Sequence, residues 1–316
     1  MAEILQNDGT WTFDGETIRI VPGRERGVHP LRQALGELAV PLAAVAGVAL
    51  EPGKRRGGRL RLRLRAGADP LTQAARGRLP EAADPYQLTV EGDRSGVAEY
   101  FVEEVRTALL LEQVPAGPAD RYLLPGPDVP LSVSAGDGTA SFDGERVRLE
   151  WNWTTDEDKR ATGPQEIALA QIAAVEWLPS AGLENGHLRF LVPGAPSKVR
   201  AKHDPHAVEL YGFKKDPLMA LVAAAVTVRL PHPSAGAPAG PGAAPVAAPG
   251  TGALAAPAVP PQLSAAPAPA PAAEVTDAGD HDTLLRRLRE LGELHRAGVL
   301  TDDEFTAAKQ AILRSF

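Results

Sequence analysis

The sequence predicts an α+β protein: two tandem strand-rich modules, each closed by a C-terminal helix, then a disordered Ala/Pro/Gly linker and an α-helical hairpin. Three observations carry this reading. Four blocks of residues recur in the same order about 125 positions apart, the mark of a duplicated domain and not of a solenoid of short repeats. Residues 231–273 hold no Asp, Glu, Lys or Arg, and 17 Ala, 12 Pro and 5 Gly fill most of these 43 positions. Such a stretch has few amide donors and nothing large to bury. Beyond it, leucines at helical spacing lead to a glycine and a strong helix-start signal. The parts are therefore residues 1–115, a Pro-rich inter-repeat linker at 116–130, residues 131–230, the linker at 231–280 and the hairpin at 281–316.

The first block runs from Gly9 to Ile20 and matches Gly138 to Leu149 without a gap, Phe13-Asp14-Gly15-Glu16 being repeated as Phe142-Asp143-Gly144-Glu145. In each, a two-residue Asp-Gly turn of type I′ is expected between alternating strands. Ile18 and Ile20, like Val147 and Leu149, share one strand face, with Arg19 and Arg148 on the other. Further blocks pair Leu42-Ala43-Ala44-Val45 with Ile172-Ala173-Ala174-Val175, Gly58 to Leu62 with Gly186 to Phe190, and Asp84-Pro85 with Asp204-Pro205, the last a strand-entry turn. Val97, Phe101, Val105 and Ala108 recur at helical spacing and close the first module. In the second, Asp216 is suited to cap a helix with Pro217 in its first position. The apolar run Leu218 to Val228, 11 residues long, is read as a buried helix, since a bilayer span needs about 20. This order of elements is similar to that of pleckstrin-homology-type domains, a likeness of architecture only.

In the hairpin, Asp282 is placed to cap a helix bearing Leu284, Leu285, Leu288, Leu291 and Leu294, and Gly298 ends it. Thr301 and Glu304 form a capping box, Leu300 and Phe305 a hydrophobic staple, and Ala308, Ile312 and Leu313 continue the apolar face of the second helix. Two helices of this length cannot bury such stripes between themselves. Leu284, Leu288, Leu291, Leu294, Leu300, Phe305, Ile312 and Leu313 are thus the expected surface for a second copy or a protein partner. Leu288, Leu291, Leu294, Gly298, Leu300, Thr301, Glu304, Phe305, Lys309 and Leu313 resemble the short C-terminal domain called SHOCT, and the doubled Phe-Asp-Gly blocks resemble tandem copies of the actinobacterial domain of unknown function 4429. The first resemblance implies oligomerisation or protein interaction. The second implies no substrate.

The chemistry available is limited. With no cysteine, disulfides, thiolate catalysis and Cys-ligated metals are excluded, and a reducing compartment is suited. A formal charge of -7, from 33 basic and 40 acidic residues, disfavours non-specific coating of nucleic acid. Glu3 and Asp8 stand where a signal peptide would carry lysines and an apolar core. The sharpest charge feature is Lys54, Arg55, Arg56, Arg59, Arg61, Arg63 and Arg65. The last four share a strand face, either as an ion-paired outer face or as a row of guanidinium groups for phosphates. Arg24, Arg26, His29 and Arg32 make the loop after the second strand basic. Its counterpart has Trp151 and Trp153 followed by Asp156, Glu157 and Asp158, with the tryptophans expected as a core and rim pair. His203 and His206 are a thin basis for a metal. No phosphate loop, dinucleotide turn, nucleophile elbow or zincin helix occurs. The expectation is a non-enzymatic cytoplasmic binding or scaffold protein, without cofactor, metal or catalytic residues, that oligomerises or recruits partners through its hairpin. The alternative is an anion-binding protein that holds phospholipid or nucleic acid with Arg55, Arg56, Arg59, Arg61, Arg63 and Arg65.

Overall fold

The computed structural model describes residues 1–53, 57–182, 184–196 and 199–236. The first module is a four-stranded antiparallel meander of β1 (Ala2–Gln6), β2 (Gly9–Phe13), β3 (Thr17–Pro22) and β4 (Leu38–Pro41), with the short helix α1 (Pro30–Leu35) between the last two. A three-stranded meander follows: β5 (Val45–Pro52), β6 (Gly58–Leu64) and β7 (Gln87–Val90), with α2 (Pro70–Ala75) between the last two. Helix α3 (Ser95–Leu111) closes the module. The second repeats the plan with β8 (Leu131–Ala135), β9 (Gly138–Phe142), β10 (Arg146–Trp151), α4 (Glu157–Ala161) and β11 (Gln165–Ala168), then β12 (Ala174–Leu178), β13 (Gly186–Leu191), β14 (Ala207–Leu210) and α5 (Met219–Thr227). Among the described residues α2 has no counterpart there. The α+β class and the tandem strand-rich modules are as the sequence predicts.

Alternation sets the two faces of each sheet. Trp11, Phe13, Ile18 and Ile20 are buried, and Trp11 and Phe13 meet Phe101 of α3 edge-on with ring centres 6.2 and 6.5 Å apart. Two glycines fix the pairing. A side chain at Gly9 would meet the Val21 carbonyl at 2.8 Å, and one at Gly138 the Glu150 carbonyl at 2.6 Å, so both strands tolerate only glycine where they cross.

Four local expectations are corrected. The hairpin turn centres on Gly15 and Glu16, one residue later than the expected Asp-Gly, and only Gly15 has positive φ (110°). The Asp14 carboxylate accepts from the Glu16 and Thr17 amides at 2.9 and 2.7 Å and moves the turn along by one; Asp143 does the same with Glu145 and Arg146. In α3 the buried face is Ala98, Phe101, Val102 and Val105, while Val97 is exposed. Asp216 turns away from α5, and its carboxylate accepts from the Gly212 and Phe213 amides at 2.6 and 3.2 Å. The counterpart of Leu42-Ala43-Ala44-Val45 is Leu169-Ala170-Gln171-Ile172, three residues earlier than the sequence alignment. Leu42 N–H donates to Glu16 O as Leu169 N–H donates to Glu145 O, and each segment makes the same 3-10 turn before its next strand.

The modules interlock. Leu31 of α1 and Leu71, Ala74 and Ala75 of α2 belong to the buried cluster of the second module, where α2 lies on α5. This explains why α5 is apolar all round: one side meets its own sheets, the other meets α2, and every residue from Met219 to Val226 is buried. Asp69 caps α2 by accepting from the Leu71 and Thr72 amides, Pro70 takes its first position, and Arg76 ends it at φ 49°. The 116–130 segment runs along the first module, with Ala119 N–H bonded to Ala66 O and the Leu123 and Leu124 amides to Ala68 O. His232, just past the second module, reaches Gly67 O through Nε2 at 2.9 Å and packs against Tyr122. Among the described residues no helix is long and apolar enough to cross a membrane.

Candidate functional site

The arginine row lies on β6, and most of its charge is already committed. Arg59 pairs with Glu81, and Arg61 stands 3.3 Å from Glu81 and 3.5 Å from Glu51. Arg65 donates to the carbonyls of Gly117, Ala43 and Pro118 at 2.8 to 3.0 Å, which ties the 116–130 segment to the sheet. Arg63 is exposed. Arg55 and Arg56 lie outside the described residues, as do Leu284, Leu288, Leu291, Leu294, Leu300, Phe305, Ile312 and Leu313.

The basic loop before α1 divides in two. Arg32 is buried and holds Asp8, with Nη1 3.4 Å from Oδ2 and Nη2 3.0 Å from the Asp8 carbonyl. His29 accepts the Leu31 amide at Nδ1 and so caps α1, while burial first, then Lys214 and Arg32, push its pKa down. Arg24 and Arg26 remain exposed. Arg24 lies where two clefts meet, one of about 510 Å³ lined by Val21, Gln33 and Glu37, the other of about 390 Å³ lined by Asn7, Glu91 and Arg94.

In the second module the equivalent loop encloses a sealed ion pair. Lys159 Nζ lies 2.6 Å from Asp137 Oδ2 with both side chains essentially inaccessible, donates to Ala201 O at 3.0 Å and sits 4.5 Å from the centre of the Trp151 ring. Trp151 Nε1–H is bonded to Gly163 O, and Trp153 is exposed. Asp137 Oδ1 accepts the Glu209 amide at 2.7 Å; in the first module Asp8 Oδ2 accepts the Thr89 amide at 3.1 Å. Each module therefore uses one acid, just before the crossing glycine, to join its short helix to its last strand. This pair was missed in the sequence, although an identical Asp-Gly stands at Asp8-Gly9 and Asp137-Gly138.

Asp156, Asp158 and His203 have ligand atoms within 4.8 Å of one another. Lys202 Nζ sits 3.1 Å from Asp156 Oδ2 and lowers that carboxyl's pKa through their hydrogen bond, so an ammonium already occupies this acidic group. The Asp-Pro turns act as strand entries: Asp84 and Asp204 accept the amides of Tyr86 and His206, and Asp204 also pairs with Arg189 at 2.8 Å.

The repeated geometry agrees with comparison to protein families. The model of the family described as Domain of unknown function (DUF4429) matches residues 11–106 and again 140–227, more than half of the chain. The chain belongs to the DUF4429 family. Both matched segments of this DUF4429 protein run from the second strand of a module into its closing helix. The Short C-terminal domain, SHOCT, matches residues 286–313. A search of curated proteins found no match.

Proposed function

We propose that this DUF4429 protein is a non-enzymatic cytoplasmic scaffold: two pleckstrin-homology-like modules fused into one body, carried on a linker to a hairpin that self-associates. The observation that carries the reading is the SHOCT match at 286–313, which takes in Leu288, Leu291, Leu294, Leu300, Phe305, Ile312 and Leu313 and begins two residues after Leu284. The pleckstrin-homology likeness is supported by a four-stranded meander, a three-stranded meander and a closing helix, in that order in both modules. Residues 231–280 offer a tether of roughly 3.1 Å per residue when extended as polyproline II. Joining several bodies through such tethers raises avidity for a repetitive target without any new contact.

Light scattering tests the proposal. The full chain is expected to run above its monomer mass of 33.2 kDa, and Leu288→Asp with Leu291→Asp is expected to return it to monomer, since each buries a charge in an apolar seam. A full chain that already runs as a monomer defeats self-association.

A further inference from the structure

We propose that the seam between the two modules is a docking surface for an anionic membrane, formed by Arg24 and Arg26 of the first module and Lys214 and Lys215 of the second. The fold brings the two loops that carry these residues to one seam. Helix α1 packs against the turn Asp216–Leu218, and its Leu31 is buried in the second module's core. The loop that enters α1 and the loop that enters α5 therefore border the same seam. The His29 pKa is pushed down by burial first and by Lys214 second, in keeping with that closeness.

All four cations are exposed, and none is in an ion pair among the described residues. Arg59, Arg61 and Arg65 contrast with them, each being occupied by a carboxylate or by backbone carbonyls. Glu25 is exposed on the same loop, and Glu37, which lines the cleft beside Arg24, is paired with Arg19, so positive charge prevails on the two loops. Asp216 stiffens the second loop from beneath by holding the Gly212 and Phe213 amides. In that loop Tyr211 and Phe213 stand edge-to-face at 6.3 Å, half-buried beside the two lysines. Aromatic rings beside cations suit the headgroup region of a bilayer, where an amphipathic ring rests between water and acyl chain. Nucleic acid fits less well, since four cations on two loops neutralise few phosphates of a duplex that carries one charge per about 1.7 Å of its axis. The cleft on the other side of Arg24 adds one cation, Arg94, but sets Glu91 and Asp93 against it, so it does not extend the basic surface into a track.

The test uses the full chain in cosedimentation with vesicles of phosphatidylcholine alone and of phosphatidylcholine with phosphatidylserine, beside a short DNA duplex. Binding to the phosphatidylserine vesicles is expected, falling as salt rises. Each juxtamembrane charge contributes about fivefold, so Lys214→Gln with Lys215→Gln should weaken partitioning about 25-fold, and Arg24→Gln with Arg26→Gln should do the same from the other module. Arg63→Gln, exposed on β6, should leave it unchanged, and the variants should melt with the parent because these side chains hold nothing. Equal binding to neutral vesicles, no vesicle binding, tighter binding to the duplex, or either double variant binding like the parent overturns the proposal.

Discussion

Lys159→Met should lower the free energy of unfolding by about 3–5 kcal/mol, because it strands a carboxylate in a sealed site. Asp137 loses its partner at 2.6 Å, and water has no access to replace it. Burial already raises the Asp137 carboxyl to about 6, with Lys159 restraining it from going higher. Without the ammonium it should rise further, so the variant takes up a proton at neutral pH. Adding Asp137→Asn should restore part of the loss, since an amide keeps an acceptor for the Glu209 amide and carries no charge. Urea unfolding at pH 7.5 measures both, and a single-variant loss below about 1 kcal/mol would mean that the pair is not sealed. The pH dependence of the parent follows from the same group. Its folded pKa is raised from 3.8 to about 6, so its stabilising contribution is full below 3.8 and is lost as pH rises through about 6. Asp216, raised by burial to about 6, adds to it with the same sign. Asp14, Asp143 and Asp156 are lowered by hydrogen bonds and have the opposite sign, losing their contribution as pH falls below the ordinary carboxylate range.

The duplication and the strand faces were legible because they rest on local signals: an identical Phe-Asp-Gly-Glu, Ile18 and Ile20 alternating with Arg19, a helical period through Phe101 and Val105. The register of Leu42 to Val45 was not. In a run of alanines and aliphatics a shift of three residues looks equally good, and only the bonds to Glu16 and Glu145 decide it. The structural register also shows how the cores diverged. Trp11 faces Ala140 in the alignment, while Leu50 corresponds to Trp177, so the large ring lies on the first sheet of one module and on the second sheet of the other. Asp8 and Asp137 were readable as an identity, but their partners differ in type, Arg32 and Lys159, and sit in loops of unequal length. The Arg59 to Arg65 row showed its strand face, yet Glu51 and Glu81 reach it from outside the strand, and nothing local announces that. Arg24 and Lys215 stand nearly two hundred residues apart, and no pattern along the chain joins them.

Leu71→Asp should unfold the second module although the substitution lies in the first. Leu71 is 2% exposed and sits in the cluster built around α5, so an aspartate there places a charge without partner among Ala, Val and Leu side chains. The cost is about 3–5 kcal/mol from the lost apolar burial and the desolvated carboxylate together, a large share of the stability of an ordinary domain. The two closing helices explain why the damage should be one-sided. Helix α3 hides Ala98, Phe101, Val102 and Val105 on one face and exposes Tyr100 and Leu111 on the other, so it needs no cover from the second module. Helix α5 has no polar face, and losing α2 would present an apolar surface to water. Hydrogen exchange can resolve the two: amides of β8 to β14 should lose protection in Leu71→Asp while those of β1 to β6 keep most of theirs. Uniform loss across both would show that the modules unfold as one unit, and no loss in the second would show that α2 contributes nothing to its core. The conservative Leu71→Ala should lie between, at about 2–3 kcal/mol, because it removes the packing without adding a charge. The interlock makes module identity and folding unit two different things: the repeat ends near residue 115 in sequence, but the core that α5 needs is completed by residues 70–75.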